Sequence, residues 1–135
     1  MDLMKSMLIS ASGMKAQGKR LRVIAENIAN SDSVGRIEGE DPYRRRVVTF
    51  RSVLDRDLGI KRVSIDKIMA SSGEFARKYD PSHPAADEDG YLKLPNVKPL
   101  VEMMDMREAQ RSYEANISVI EATKRMLIRT IDLLR

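Results

Sequence analysis

A short acidic stretch near the middle of the chain has the composition of a calcium-binding loop. Residues 87–90 read Asp-Glu-Asp-Gly, and a calcium loop places oxygen ligands at alternate positions with glycine at the sixth. If Gly90 is the sixth residue, however, the first and twelfth positions are Ala85 and Asn96, so two principal ligands are missing. The stretch is therefore predicted to be a turn with solvated carboxylates, and no metal is expected there.

The remaining residues of catalytic type are isolated. His83 is the only histidine, and the chain has no cysteine, so a zinc site and thiol or disulfide chemistry are not expected. The carboxylate pair Asp55 and Asp57 has no apolar pocket-forming stretch beside it, and the chain has no glycine-rich phosphate loop and no nucleophile elbow. We predict no enzymatic activity and no cofactor.

Three asparagines have a different kind of potential. Asn27 and Asn116 lie on or beside apolar stripes of predicted helices, and Asn30 follows the first stripe closely. A buried amide in a helix seam costs stability but fixes the register, because it needs a specific partner. An exposed position at the edge of the stripe is the alternative, and the sequence leaves both open.

The apolar stripe beside Asn116 lies in the last third of the chain. Residues 97–135 are predicted to form a helix of about 35 residues, or about 50 Å at ~1.5 Å per residue. Ile117 and Ile131 fill the alternate spacing of an apolar seam whose other members recur every seventh residue: Met106, Tyr113, Ile120, Leu127 and Leu134. A helix of this length needs a long partner to cover its seam.

The other end of the chain supplies that partner. Residues 2–29 are predicted to be one helix, because apolar or small residues recur at intervals of three and four: Leu3, Met7, Ala11, Met14, Gly18, Leu21, Ala25 and Ile28. Gly13 and Gly18 weaken a helix but allow another backbone to come close. Asp2 suits the positive end of the helix dipole.

The middle of the chain is predicted to be a small β insert. Residues 43–50 and 59–65 are rich in β-branched and aromatic side chains and are predicted strands, with a turn over 55–59. Residues 66–78 are either a third short strand or an irregular loop. Prolines and turn formers in residues 79–95 predict an extended linker.

The predicted fold is therefore mainly α with a small β insert, and the long terminal helices pair as a coiled-coil-like unit. The predicted segments are an N-terminal axial helix over 1–30, a loop, β insert and linker over 31–96, and a C-terminal axial helix over 97–135.

Charge and hydropathy narrow the classes of partner. The net charge is +4, and the one basic cluster is Arg44–Arg46 with Arg51 beyond it. The cluster is not part of a basic stripe interleaved with aromatic residues, and no reading motif accompanies it, so we interpret it as charge on a solvated strand face or at a protein interface and expect no nucleic-acid partner. We find no cleavable signal pattern at the N-terminus and no apolar run of membrane-spanning length, so no membrane insertion is expected.

Three motifs resemble a known family. Residues 25–31 (AENIANS) are similar to the N-terminal signature of bacterial flagellar rod and hook proteins. Residues 79–97 (YDPSHPAADEDGYLKLPNV) resemble the proximal rod subunits of that family more specifically, and residues 111–117 (RSYEANI) with 123–127 (TKRML) resemble its C-terminal helix.

The resemblance implies a structural subunit of the flagellar basal-body rod, exported without cleavage by the flagellar type III apparatus. It implies terminal helices that order on assembly with copies of the chain and with other rod subunits into a helical tube, which transmits torque across the periplasm. The alternative is a cytoplasmic helical adaptor that binds one partner through the same seams. The predicted assembly residues lie on both helices: Leu21, Asn27, Ile28, Asn30, Tyr113, Asn116, Ile117, Ile120 and Leu127.

Overall fold

The structure, a computed structural model, describes residues 2–133 as two long helices separated by four strands. In chain order the elements are helix α1 (Leu3–Ala29), strands β1 (Arg46–Asp55), β2 (Ile60–Ala70), β3 (Ala76–Tyr79) and β4 (Tyr91–Leu94), and helix α2 (Pro99–Leu133). The predicted fold class, mainly α with a small β insert, is confirmed. Leu134, predicted as the last member of the seam, lies outside the described residues.

Local sequence accounts for the ends of both helices. The Asp2 side chain accepts hydrogen bonds from the backbone N–H groups of Met4 and Lys5, at 3.1 and 3.3 Å, and so caps the first turn of α1. Helix α2 begins at Pro99, which has no N–H to satisfy in a first turn. Its first backbone bond runs from the Glu102 N–H to the Lys98 carbonyl at 3.1 Å.

The β insert contains two antiparallel hairpins rather than one hairpin and a linker. Strands β1 and β2 form one two-stranded sheet, and both extend several residues beyond the predicted bounds. Strand β3 falls in the segment left open between strand and loop. The prediction of an extended linker over 79–95 is wrong at its end, because β4 pairs with β3 in a register of Ala76 with Leu94 and Tyr79 with Tyr91.

The described chain separates into two compact units. Among the described residues, unit 1 comprises 2–21, 48–67 and 107–133, and unit 2 comprises 22–47 and 68–106. In unit 1 the two helices run antiparallel. An added Cβ at Gly13 would lie 3.1 Å from the Asn116 side chain, and Arg20 forms an ion pair with Glu108 at 3.7 Å. A later residue of α1 thus contacts an earlier residue of α2, as expected for an antiparallel pair.

The buried face of α1 is not the predicted apolar stripe. Ala11, Gly18 and Ala25 of that stripe are exposed. The buried residues of α1 are instead mostly one or two positions away: Ser10, Ala16, Val23, Ile24 and Asn27. Val23 and Ile24 bury more apolar surface than the small residues of the stripe could, and the hydrogen bonds of Asn27 hold its side of the helix inward. The larger side chains of the predicted stripe are half-buried beside that face.

The same displacement occurs on α2. Its buried residues Glu102, Ala109 and Thr123 are seven or fourteen positions apart, with the half-buried Asn116 between the last two. The predicted seam residues Met106, Tyr113, Ile117, Ile120 and Leu127 flank this line and are half-buried. Ile131, predicted to fill the seam, is 62% exposed.

The contrast between two glycines tests this packing in unit 1. Replacing Gly13 with leucine should destabilise the protein by about 1–3 kcal/mol, because the new side chain meets Asn116. Replacing Gly18 with leucine should stabilise the protein by about 0.5–1 kcal/mol through helix propensity, because nothing lies within 4 Å of an added Cβ there. Urea unfolding followed by circular dichroism measures both, and equal effects at the two sites would contradict the close approach.

Candidate assembly interface

The side chain of Asn27 is the most completely bonded polar group in unit 2. It is 1% exposed. Its Nδ2 donates to the Arg46 carbonyl at 2.9 Å and to Glu102 Oε2 at 3.0 Å. Its Oδ1 accepts from the Arg46 N–H and from the Tyr43 hydroxyl, both at 2.9 Å. All four hydrogen-bonding positions of the amide are therefore used.

Glu102 is a buried carboxylate with charged and neutral partners. Its side chain is 1% exposed, and Arg45 Nε donates directly to its Oε1. Arg45 also reaches Asp105 through Nη2 at 3.3 Å. The Asn27 amide satisfies the second carboxylate oxygen. A buried carboxylate held this way is costly to leave unpaired, so removal of either partner is expected to be strongly destabilising.

The backbone around Arg45 ties further segments of unit 2 to this group. The Arg45 N–H donates to Asn96 Oδ1 at 2.7 Å, and the Arg45 carbonyl accepts from the Ser71 N–H at 2.7 Å. Asn96 Nδ2 in turn donates to the Gly73 carbonyl at 3.1 Å. We call Asn27, Tyr43, Arg45, Arg46 and Glu102 the Asn27 cluster.

The basic run Arg44–Arg46 is used inside unit 2. Arg45 and Arg46 belong to the Asn27 cluster, and Arg46 also pairs with Glu26 at 3.4 Å. The Arg44 guanidinium stacks 4.2 Å from the centre of the Phe75 ring. Each arginine thus has a partner within the chain, a use that the prediction of solvated strand or protein-interface charge did not include.

The predicted assembly residues fall into two groups. Asn27 and Asn30 act within the chain, since the Asn30 side chain donates to the Glu26 carbonyl at 2.8 Å and accepts from the Ser33 hydroxyl at 3.1 Å. The Asn116 amide donates to the Ser112 carbonyl of its own helix at 2.9 Å. The apolar members are half-buried at the edges of the helix contacts: Leu21, Ile28, Tyr113, Ile117, Ile120 and Leu127.

Large apolar side chains of α2 remain exposed in each unit. In unit 1, Val119, Met126 and Leu133 recur at intervals of seven and are 45%, 46% and 87% exposed. We call these three the outer seam. In unit 2, the first turns of α2 expose a second apolar patch: Leu100, Val101, Met103 and Met104. Contiguous exposed apolar surface of this kind marks interaction sites.

The acidic stretch over 87–90 is a tight turn, as predicted. Asp87 Oδ1 accepts from the Tyr91 N–H at 2.7 Å, the Gly90 N–H donates to the Asp87 carbonyl at 2.9 Å, and Gly90 has a φ of +81°. Asp87 and its two acidic neighbours are exposed. Nearby, the Ser82 hydroxyl donates to Asp80 and lowers the pKa of that carboxyl below its ordinary value.

His83 stabilises the loop before that turn. Its Nδ1 accepts a hydrogen bond from the Ala85 N–H at 3.1 Å, so the ring is held by the neighbouring backbone. Within residues 2–133, no three His, Asp or Glu side chains come together as a metal-binding group. Among the helices described there, none is both long and apolar enough to cross a bilayer.

Sequence reasoning identified Asn27 but missed its partners. Arg46 is 19 residues away and Glu102 is 75 residues away, so no local pattern links them. One signal was present, because Glu102 lies seven residues before Ala109 and fourteen before Asn116 on α2. A polar residue in line with a small residue and a second amide indicates a contact line that tolerates hydrogen bonding.

The Asn27 cluster is tested by comparing two asparagines. Asn27→Ala should destabilise the protein by about 3–5 kcal/mol, because it leaves buried Glu102 and the Arg46 backbone without partners. Asn116→Ala removes a bond only within its own helix and should cost about 1 kcal/mol or less. Urea denaturation measures both, and equal losses would contradict the central place of the cluster.

The phenol of Tyr43 predicts a dependence on high pH. Burial raises the pKa of Tyr43 above its ordinary value of 10.0, and the nearby Arg46 opposes this to a lesser extent. Because the raised pKa belongs to the folded state, the stabilisation is complete below pH 10 and is lost as the pH rises through the folded pKa. The difference between the tyrosinate absorbance titrations of wild type and Tyr43→Phe should show a transition above pH 10. A transition at or below pH 10 would contradict the burial.

Two family models match the chain at its ends. Residues 7–35 match the family described as "Flagella basal body rod protein", and residues 88–133 match "Flagellar basal body rod FlgEFG protein C-terminal". The first match covers most of α1, and the second covers β4 and all of α2. Strands β1, β2 and β3 lie between the two matches.

Curated relatives match almost the whole length. The chain is 51% identical to the flagellar basal-body rod protein FlgC of Agrobacterium fabrum, over 94% of this chain and 91% of that protein. It is 38% identical to FlgC of Salmonella typhimurium over 98% of each chain. It is 36% identical to FlgC of Bacillus subtilis over 98% of this chain and 99% of that protein. The family resemblance seen in the sequence is confirmed: the chain belongs to the FlgC family of flagellar basal-body rod proteins, as a structural, non-enzymatic subunit that assembles with other rod components in the basal body.

Proposed function

We propose that the chain joins the rod through the outward faces of its two helices, with copies of itself and with other rod subunits as neighbours. The assembled helical tube would transmit torque across the periplasm. The observation that carries the proposal is the outer seam, an apolar line at helical spacing whose residues keep roughly half or more of their surface exposed in unit 1. Two such lines on neighbouring subunits bury each other, and burial of apolar surface is worth roughly 25 cal/mol per Å².

The half-buried edge residues extend this surface. Tyr113, Ile117, Ile120 and Leu127 on α2, with Leu21 and Ile28 on α1, have part of their surface against their own unit and part open to a neighbour. Asn27, Asn30 and Asn116 contribute differently, since their amides bond inside the chain. We assign these amides the role of holding the helices in the conformation that presents the edge residues.

The proposed segments have separate tasks. Residues 1–30 and 97–135 supply the axial helices, and residues 31–96 supply the insert. We propose that the chain reaches the periplasm through the flagellar type III export apparatus without cleavage. It takes no small-molecule substrate, nucleic acid or membrane as a partner. Family membership sets the alternative of a cytoplasmic adaptor aside.

Electron microscopy of basal bodies from a strain lacking this chain tests the proposal. We expect incomplete rods in that strain, restored by the full-length chain but not by a chain without residues 1–30. Complete rods and normal swimming in the deletion strain would overturn the rod role. Full rescue by the truncated chain would overturn only the role of the first helix.

Two adjacent positions on α2 test the outer seam itself. Val119→Asp places a charge in the seam, and we expect it to block rod assembly while the isolated chain keeps its helical content. Ser118→Asp adds the same charge at the neighbouring exposed position and should be tolerated, since its hydroxyl bonds only to the Glu114 carbonyl. Basal-body yield and circular dichroism provide the two measurements. Normal assembly of the Val119 variant would contradict the proposal.

A further inference from the structure

A groove lined by positive charge lies in unit 1 between α1 and the β1–β2 hairpin. Its volume is about 470 Å³. The Val63 N–H on β2 donates to the Ser12 hydroxyl on α1 at 3.3 Å, so a hydrogen bond joins the two walls. Four cations line it: Lys15, Lys19, Arg51 and Arg62.

The positive charge of the groove is only half compensated. Arg62 pairs with Asp55 at 2.6 Å, and Arg51 pairs with Asp66 at 3.7 Å. Lys15 and Lys19 are exposed, and neither has an ion pair within the described residues. Four cations against two carboxylates leave an excess of two positive charges at the groove, both carried by α1.

The chain itself carries a surface of the opposite sign. The turn over residues 87–89 presents three consecutive exposed carboxylates, and Glu88 and Asp89 have no ion pair in the part of the chain that the structure describes. The turn is held by its own backbone bonds to Tyr91. The Tyr91 ring packs edge-on against Tyr79, with 5.3 Å between ring centres. An acidic turn that is already ordered loses little entropy on docking.

We propose that the groove of one copy receives the acidic turn of a second copy in the rod. Lys15 and Lys19 would pair with Glu88 and Asp89 of the neighbour. The two surfaces are different parts of the same chain, so each copy offers one of each. A contact of this heterologous kind continues from copy to copy rather than closing on itself as a dimer. The inference rests on the proposed assembly of copies with one another.

Cysteine cross-linking tests the contact directly, because the chain has no cysteine of its own. Lys19→Cys and Asp89→Cys are introduced in two separate copies of the gene and expressed together, so that any disulfide must join two chains. A disulfide requires Cα atoms within about 7 Å, so it forms only if the groove and the turn are in contact. We expect oxidised basal bodies to give a disulfide-linked dimer. Lys61→Cys paired with Asp89→Cys is the matched control, because Lys61 is exposed on β2 outside the groove and should give no dimer. Complete rods without the dimer would overturn the proposal.

Charge exchange supplies a second test that does not depend on disulfide geometry. Lys15→Glu with Lys19→Glu should cause loss of rods, and Glu88→Lys with Asp89→Lys should do the same. The chain that carries all four substitutions should regain assembly. Lys61→Glu with Lys67→Glu changes the net charge equally on exposed β2 positions and should assemble.

Each other outcome of the exchange contradicts the contact. Failure of the four-fold variant to regain rods would show that the two surfaces do not meet. If only the lysine pair mattered, the groove would bind an acidic segment of a different protein or a phosphate group instead. Loss in the Lys61 and Lys67 control would trace the effect to net charge. A deletion strain with complete rods would overturn the rod role itself, which is a separate result from any of these.

Discussion

The constraint on which unit 2 depends is that one buried amide must satisfy four hydrogen bonds at once. The Asn27 amide bonds to the carbonyl and the N–H of Arg46, to the hydroxyl of Tyr43 and to the carboxylate of Glu102. A buried polar group that lost one of these partners would cost ~1–3 kcal/mol. The end of α1, the start of β1 and the first turn of α2 must therefore all be in place for any of them to be stable.

The residues that form the helix contacts determine which apolar side chains remain on the surface. On α2 the contacts use small and polar residues such as Ala109 and Thr123, and many of the larger apolar side chains of that helix remain exposed. In a protein meant to act alone, such a distribution would be a liability. In a family of rod proteins, exposed apolar side chains of this kind are the surface through which we propose that neighbouring subunits bind.

The two helices and much of the β insert were predictable, because the signals for them are local. Apolar spacing of three and four residues marks the helices, Asp2 suits the start of the first, and β-branched and aromatic content marks β1 and β2. The strand β4 was missed because it has only four residues among turn formers, and its existence depends on pairing with Ala76–Tyr79. The faces were misassigned because apolar periodicity finds the hydrophobic side of a helix. The buried face depends instead on which residues of two elements fit and bond to each other, and no single stretch of sequence shows that.

The Asn27 cluster is a second case in which local sequence does not reveal contacts between distant elements. The sequence indicated that Asn27 could fix a register, but not which groups it would bond, since Glu102 is far along the chain and carries the charge least expected in a core. The edge positions Ile120 and Leu127 were identifiable from their spacing. Their contacts with other subunits belong to the assembly and remain a prediction.

The exposed methionines give the free subunit a chemical sensitivity. With no cysteine in the chain, its sulfur is entirely in thioethers, and Met4, Met103, Met104 and Met126 are exposed in the subunit. Oxidation of a thioether to the sulfoxide turns a flexible apolar side chain into a polar one. In the proposed assembly, a subunit oxidised before incorporation would carry polar groups on faces that neighbouring subunits bury. Neighbours that covered those faces would also shield the sulfur, and the sensitivity would then end with incorporation.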